Sequence, residues 1–224
     1  MESMKKASDS IEVLSDQGSG RCFVAVIDSD QYGDLAQDLA ERLSHRARTI
    51  LLRCQAVSDE NWAELSRVFE ATLESLKVRQ ASFVGFGAGA AIIQNIALEN
   101  PKLARSLVVV DSTLRPHPSA WQRWVDAIER RLPFGLPLRL GSKGFNVRSY
   151  AHRLRCPILV VGTSRANSFV RAELSSLGAI APTAWLVQLE SESRAEESAE
   201  LCDLVVTFQD TPAKCPQKNR QEVA

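Results

Sequence analysis

Short unbroken apolar runs alternate along this chain with segments whose apolar residues recur every three or four positions. The first run, Arg21-Cys-Phe-Val-Ala-Val-Ile-Asp28, stops abruptly at polar residues and reads as a strand buried on both faces. Leu35, Leu39 and Leu43 then repeat at helical spacing, and Thr49-Ile-Leu-Leu52 predicts a second buried strand. Ser58 has the chemistry of a helix N-cap, with Asp59 and Glu60 at the positive end of the helix dipole. Behind it, Trp62, Leu65, Val68, Phe69, Leu73 and Leu76 form one apolar stripe. A third strand, Ser82-Phe-Val84, runs straight into Gly85-Phe-Gly-Ala-Gly-Ala90. The helix that follows carries Ile92, Ile93, Ile96, Ala97 and Leu98 around so much of its circumference that burial is expected. Ser106-Leu-Val-Val-Val110, ending at Asp111, predicts a fourth strand. Cys156-Pro-Ile-Leu-Val-Val161 predicts a fifth and Ala184-Trp-Leu-Val-Gln-Leu189 a sixth, each followed by a helical pattern. Leu201, Leu204, Val205 and Phe208 mark the last of these helices.

Strands alternating with helices imply an α/β fold with a mostly parallel central sheet covered by helices on both faces. One such domain is expected over residues 21–210, because a chain of 224 residues holds one sizeable core. Residues 1–20 read as a polar lead-in, with a weak apolar alternation only at 11–14, and 211–224 as a polar, flexible tail. Between the fourth and fifth strands, about 113–152, lies a cap-like insertion with Trp121, Trp124 and Ile128 at helical spacing. Ligands of open α/β sheets bind beyond the carboxyl ends of the strands. The chemistry is therefore sought just after Ile27, Val84, Val110, Val161 and Leu189.

Composition narrows the function classes. Lys and Arg total 27, as do Asp and Glu, and no basic cluster gives an electrostatic reason to expect a nucleic acid or an anionic membrane as partner. No segment approaches the roughly 20 apolar residues of a membrane span, and the N-terminus lacks the apolar run of a signal peptide. The five cysteines form no C-x-x-C pair, and His45, His117 and His152 are scattered, so no metal site is expected. These features together predict a cytoplasmic protein without a metal or other cofactor.

The glycine turn admits two readings. Gly85-x-Gly87-x-x-Ala90 between a strand and a helix satisfies a dinucleotide fingerprint, with Asp111 about 20 residues on in the place of the ribose-binding acid. That motif ordinarily opens its domain, however, and here two strand–helix units precede it. The other reading is a nucleophile elbow, G-x-S-x-G, with Gly87 in place of the serine. The surrounding order of elements resembles the α/β-hydrolase fold. Within that fold, Gly85-Phe-Gly-Ala-Gly-Ala90, Ala97-Leu-Glu-Asn-Pro101, Trp121-Gln-Arg-Trp124 and Leu154-Arg-Cys-Pro-Ile-Leu-Val-Val-Gly162 resemble the N-myc downstream-regulated (Ndr) family over roughly residues 21–209. Membership would imply a hydrolase-like protein without a working triad. The cap is much shorter here and the long modified tail of the animal members is missing, so regulation through that tail is not implied.

Acyl transfer at the elbow requires a nucleophile, a base, an acid and oxyanion donors. Gly87 has no side chain. The turn after the fifth strand, Gly162-Thr-Ser-Arg-Ala-Asn167, has no carboxylate, and Glu190-Ser-Glu-Ser193 after the sixth has no imidazole. Asp28-Ser29-Asp30 stands where a neutral oxyanion segment would be needed, and a carboxylate about 4 Å from a developing oxyanion opposes it by roughly 4 kcal/mol at an effective dielectric of 20. His117, between two prolines, is the one displaced base at the correct end of the sheet. The expectation is a pseudo-hydrolase that binds a small molecule or a protein, with Asp28, Ser29, Phe86, Gly87, Ala88, Asp111 and Thr163 bounding the pocket. Two alternatives stay open: an atypical hydrolase or lyase using His117, and a dinucleotide binder.

Overall fold

The computed structural model describes residues 11–28, 30–54, 62–112, 150–181, 183–191 and 193–210. Seven strands form one sheet: β1 (Ile11–Gln17), β2 (Cys22–Ile27), β3 (Arg48–Cys54), β4 (Ala81–Phe86), β5 (Ala104–Val110), β6 (Ile158–Gly162) and β7 (Ala184–Gln188). Their spatial order is β1-β3-β2-β4-β5-β6-β7; all neighbours are parallel except β1, which runs antiparallel to β3. The helices are α1 (Gly33–Ser44), α2 (Trp62–Ser75), α3 (Ala88–Glu99), α4 (Ser168–Ile180) and α5 (Arg194–Asp210). Short 3-10 turns at Asp30–Tyr32 and Ala151–Arg153 precede α1 and β6.

The expected α/β architecture is present, and the unbroken apolar runs explain its two-sided core. Along β2, Phe23, Ala25 and Ile27 face one apolar cluster while Val24 and Val26 face another. The first cluster is closed by α1 and α5 through Leu35, Leu39, Leu43, Leu201 and Val205. The second is closed by α2, α3 and α4 through Phe69, Ile93, Ile96 and Leu174. A side chain with a period of two serves both faces only if every position is apolar. Each large side chain fully withdrawn from water, Phe69 and Phe83 among them, contributes roughly 1.5–3 kcal/mol. Helix α3 is buried from Ile92 to Ala97, as its all-round apolarity requires.

One strand departs from the expected pattern. Within the polar lead-in of residues 1–20, residues 11–17 form β1, which extends the sheet beyond β3. Its register shifts between Val13 and Ser15, and both Val13 and Leu14 are exposed. An irregular edge strand with one buried residue, Ile11, leaves little periodicity to read. The proposed N-cap Ser58, the cap-like insertion over 113–149 and the tail from 211 lie outside the described residues.

Candidate active site

The turn between β4 and α3 has the geometry of a nucleophile elbow although it lacks the nucleophile. Gly87 sits at φ 55° and ψ −122°, a left-handed backbone that a residue with a side chain adopts only under strain. Its flanking glycines meet a separate demand. A Cβ at Gly85 would collide with the backbone of Ala90, and one at Gly89 with the carbonyl oxygen of Val26. The turn is thus pressed against its own helix and against β2. Gly87 N–H donates to Val110 O at 3.0 Å, and Gly87 O accepts from Ala90 N–H at 3.3 Å.

Two side chains come close to Gly87. A Cβ placed there would lie 3.1 Å from Tyr32 Cε2 and 3.4 Å from Asp28 Oδ1. Tyr32 is buried, its ring tilted 33° against Phe86 with centroids 6.0 Å apart. An aromatic side chain therefore packs beside the elbow, and the Gly87 N–H is spent on β5.

Tyr32 leads to a buried carboxylate. Its hydroxyl donates to Asp111 Oδ2 at 3.4 Å. Asp111 Oδ1 accepts from the Thr163 N–H at 2.7 Å, and Oδ2 also accepts from the Thr163 hydroxyl. Asp111 itself has φ 48°, an uncommon left-handed conformation for a residue other than glycine. Burial raises its pKa above the ordinary 3.8; the Thr163 hydrogen bonds oppose that rise, and the nearby Glu197 carboxylate adds to it. Burial, then the charge of Asp111, also raises the pKa of the Tyr32 phenol, so the phenol is a neutral donor at pH 7.

The turn after β6 has no carboxylate of its own, as expected from its composition. Asp111 reaches it from the neighbouring strand, so the place is not empty of one. A second carboxylate comes from α5: Glu197 Oε1 accepts from the Ser164 N–H at 3.0 Å and the Ser164 hydroxyl at 2.9 Å. Glu197 Oε2 lies 3.7 Å from Arg165 Nε, and Arg165 donates to Gln31 O at 2.9 Å. A chain of polar contacts therefore ties the turn carrying Tyr32 to the β6–α4 loop and to the first turn of α5.

Of the residues expected to bound the site, the structure brings Asp28, Phe86, Gly87, Asp111 and Thr163 together around Tyr32. Ala88 starts α3 and is exposed. Ser29 and His117 lie outside the described residues. His45 follows α1 and His152 precedes β6, both at the amino end of the sheet. Sequence reasoning missed Tyr32, Arg165 and Glu197. An aromatic residue just before Gly33, four positions after Asp28, was the available sign for Tyr32. Glu197 gave none, since only folding carries the first turn of α5 to Ser164.

Among the described residues no group of three or more His, Cys, Asp or Glu side chains could hold a metal ion, and no helix is long and apolar enough to cross a membrane. The four described cysteines are free. A groove of about 630 Å³ lies along α1 and the β1–β3 edge, lined by Leu14, Gln17, Gln37, Glu41 and Arg53 among others; neither Gly87 nor Asp111 lines it.

By sequence the chain matches no family model and no curated protein. In structure it is similar to the enol-lactonase from Burkholderia xenovorans, at 15% identity and a TM-score of 0.67, over 90% of this chain and 96% of that one. It is also similar to an alpha/beta hydrolase from Sphaerobacter thermophilus, at 17% identity and a TM-score of 0.66, over 89% and 96% of the two chains. A thermophilic esterase from Thermogutta terrifontis aligns at 14% identity and a TM-score of 0.66, over 89% and 92%. The strand order, the elbow geometry and these neighbours together show that this chain has the α/β-hydrolase fold.

Proposed function

We propose that this chain is a pseudo-hydrolase, an α/β-hydrolase-fold protein of Ndr type that acts by binding rather than by acyl transfer. The observation that carries the reading is the elbow itself: Gly87 keeps the strained backbone of a nucleophile but has no side chain, and the Tyr32 ring crowds the place where a Cβ would stand. Asp28 Oδ1 would lie 3.4 Å from the same Cβ and adds to the crowding there. The glycine-alanine turn Gly85-Phe-Gly-Ala-Gly-Ala90 supports the Ndr assignment. The dinucleotide alternative would need Asp111 for a ribose, yet both its oxygens are engaged by Thr163 and Tyr32.

The test is turnover of p-nitrophenyl acetate together with labelling by a serine-directed phosphonate. We expect no turnover above buffer and no covalent label. Gly87→Ser is expected to restore neither, because Tyr32 and Asp28 crowd the new hydroxyl and neither described histidine lies at that end of the sheet. Steady turnover abolished by His117→Ala would overturn the proposal.

A further inference from the structure

The two edges of the sheet differ in how they guard their outer backbone groups. An exposed edge strand is a template for another chain unless charges, a proline or a bulge blunt it. β1 has such guards: Glu12, Asp16 and the register shift between Val13 and Ser15. β7 has none of them. Ala184-Trp-Leu-Val-Gln188 contains no charge and no proline, pairs with β6 without a register shift, and leaves Leu186 41% exposed. Among the described residues no strand lies beyond it.

The backbone of β7 fixes what can pair there. Ile158 N–H donates to Thr183 O at 2.9 Å, and Leu189 N–H donates to Gly162 O at 2.8 Å. Peptide groups alternate in direction along a strand, so Thr183, Trp185, Val187 and Leu189 turn theirs to β6. Those of Ala184, Leu186 and Gln188 turn outward, and the Ala184 N–H is given to Ala181 O at 3.2 Å. Side chains alternate too. Leu186 lies beside Gly178 of α4, whereas Trp185 and Val187 pack on the cluster closed by α1 and α5.

We propose that two copies of this chain join edge to edge through β7, antiparallel about a two-fold axis at Leu186. The outward N–H and C=O of Leu186 then meet those of Leu186 in the second copy, and Gln188 N–H meets Ala184 O. On the α5 face Trp185 opposes Val187 of the second copy, an aromatic–β-branched pair of the kind that stabilises antiparallel strands. On the α4 face Leu186 meets its own equivalent. A register slipped by one residue would put backbone already spent on β6 at the axis and turn the side chains to the wrong faces.

The charges agree with an antiparallel partner. Glu190 is exposed just past the carboxyl end of β7, and Arg155 is exposed before the amino end of β6. Antiparallel pairing sets the acidic end of one copy beside the basic end of the other. With 27 basic and 27 acidic side chains, the copies carry no net charge to hold them apart. The guarded β1 edge stops further growth, so the product is a closed dimer rather than a fibre. Its two elbows face opposite ends of the joined sheet. This inference goes beyond the binding function proposed above and does not depend on it.

The experiment is sedimentation equilibrium of the full chain, of Leu186→Lys and of Val13→Lys at up to about 100 µM. The wild type should follow a monomer–dimer equilibrium. Leu186→Lys sets like charges against each other at the axis and should raise the dimer dissociation constant about tenfold or more. Val13→Lys, on the other edge, should leave it unchanged. A wild type that stays monomeric, a dimer weakened by Val13→Lys or unmoved by Leu186→Lys, or assemblies larger than a dimer would overturn the proposal. Should Leu186→Lys fail to fold, diamide oxidation of Leu186→Cys decides. Opposed residues of such a hydrogen-bonded pair have Cα atoms about 5.5 Å apart, within the reach of a disulfide. A disulfide-linked dimer absent from the wild type supports the inference; no such dimer, or equal linking by Val187→Cys, overturns it.

Discussion

The elbow end of the sheet and its β1 edge handle carboxylates in opposite ways. At the edge, Asp16 on β1 takes a two-pronged ion pair from Arg48 on β3, at 2.9 and 2.6 Å, and Glu12 meets Arg53 at 3.5 Å. The Arg48 guanidinium lowers the Asp16 pKa, so the edge prefers its acid charged. At the elbow, Asp111 is buried, its partners among the described residues are two hydroxyls and one N–H, and its pKa is raised. The backbone differs in the same sense. The edge tolerates a register shift and exposed Val13 and Leu14, whereas the elbow has left-handed φ at Gly87 and Asp111 and glycines that admit no Cβ. One region spends its polar groups on holding strands together; the other retains strain and a buried charge that stability alone does not require.

The sharpest break in this comparison is steric. Gly89→Ala drives a methyl group into the Val26 carbonyl oxygen and should destabilise by about 3 kcal/mol in denaturant melts. Val13→Ala at the edge should stay within about 0.5 kcal/mol. Equal losses at the two positions would show that the elbow is no more constrained than the edge.

Gly87→Ala comes next. Its left-handed φ and the Tyr32 ring at 3.1 Å together predict a loss of about 1–2 kcal/mol, smaller than at Gly89 because a ring edge yields more readily than a backbone carbonyl.

Acidification separates the two carboxylates by sign. Asp111 binds its proton more tightly folded than unfolded, so its penalty is absent below the ordinary 3.8 and grows as pH rises through that value towards the raised one. The stability of Asp111→Asn relative to wild type should therefore increase with pH, measured by urea melts between pH 4 and 7. Asp16 behaves conversely: its contribution is present above 3.8 and is lost as pH falls through its lowered folded value. Asp16→Asn should therefore lose ground to wild type as pH rises towards 3.8, below the range in which Asp111→Asn gains. The same slope for both variants would refute the contrast.

The smallest effect is expected for Arg48→Ala at the edge. It should cost under about 1 kcal/mol near neutral pH and less in high salt, since the pair is partly solvated.

The strands β2 to β6 and the buried helix α3 were legible because unbroken apolar runs and all-round apolarity each have one packing solution, a two-sided core; β7 showed the same apolar run although it lies at the sheet edge with Leu186 exposed. The elbow was legible because Gly85, Gly87 and Gly89 announce a close approach and a left-handed turn. β1 was not, since an edge strand with a shifted register exposes most of its side chains and carries no period.

Sequence alone determined the α/β class, the place of the elbow after β4 and the absence of a side chain at Gly87, because these follow from local periodicity and residue identity. Only the tertiary structure decided that Tyr32 packs beside Gly87, that Asp111 crosses from β5 to Thr163, and that Glu197 reaches Ser164 from α5. Each of those contacts joins residues far apart in the chain, and their positions are set by how strands and helices pack rather than by any pattern within one segment.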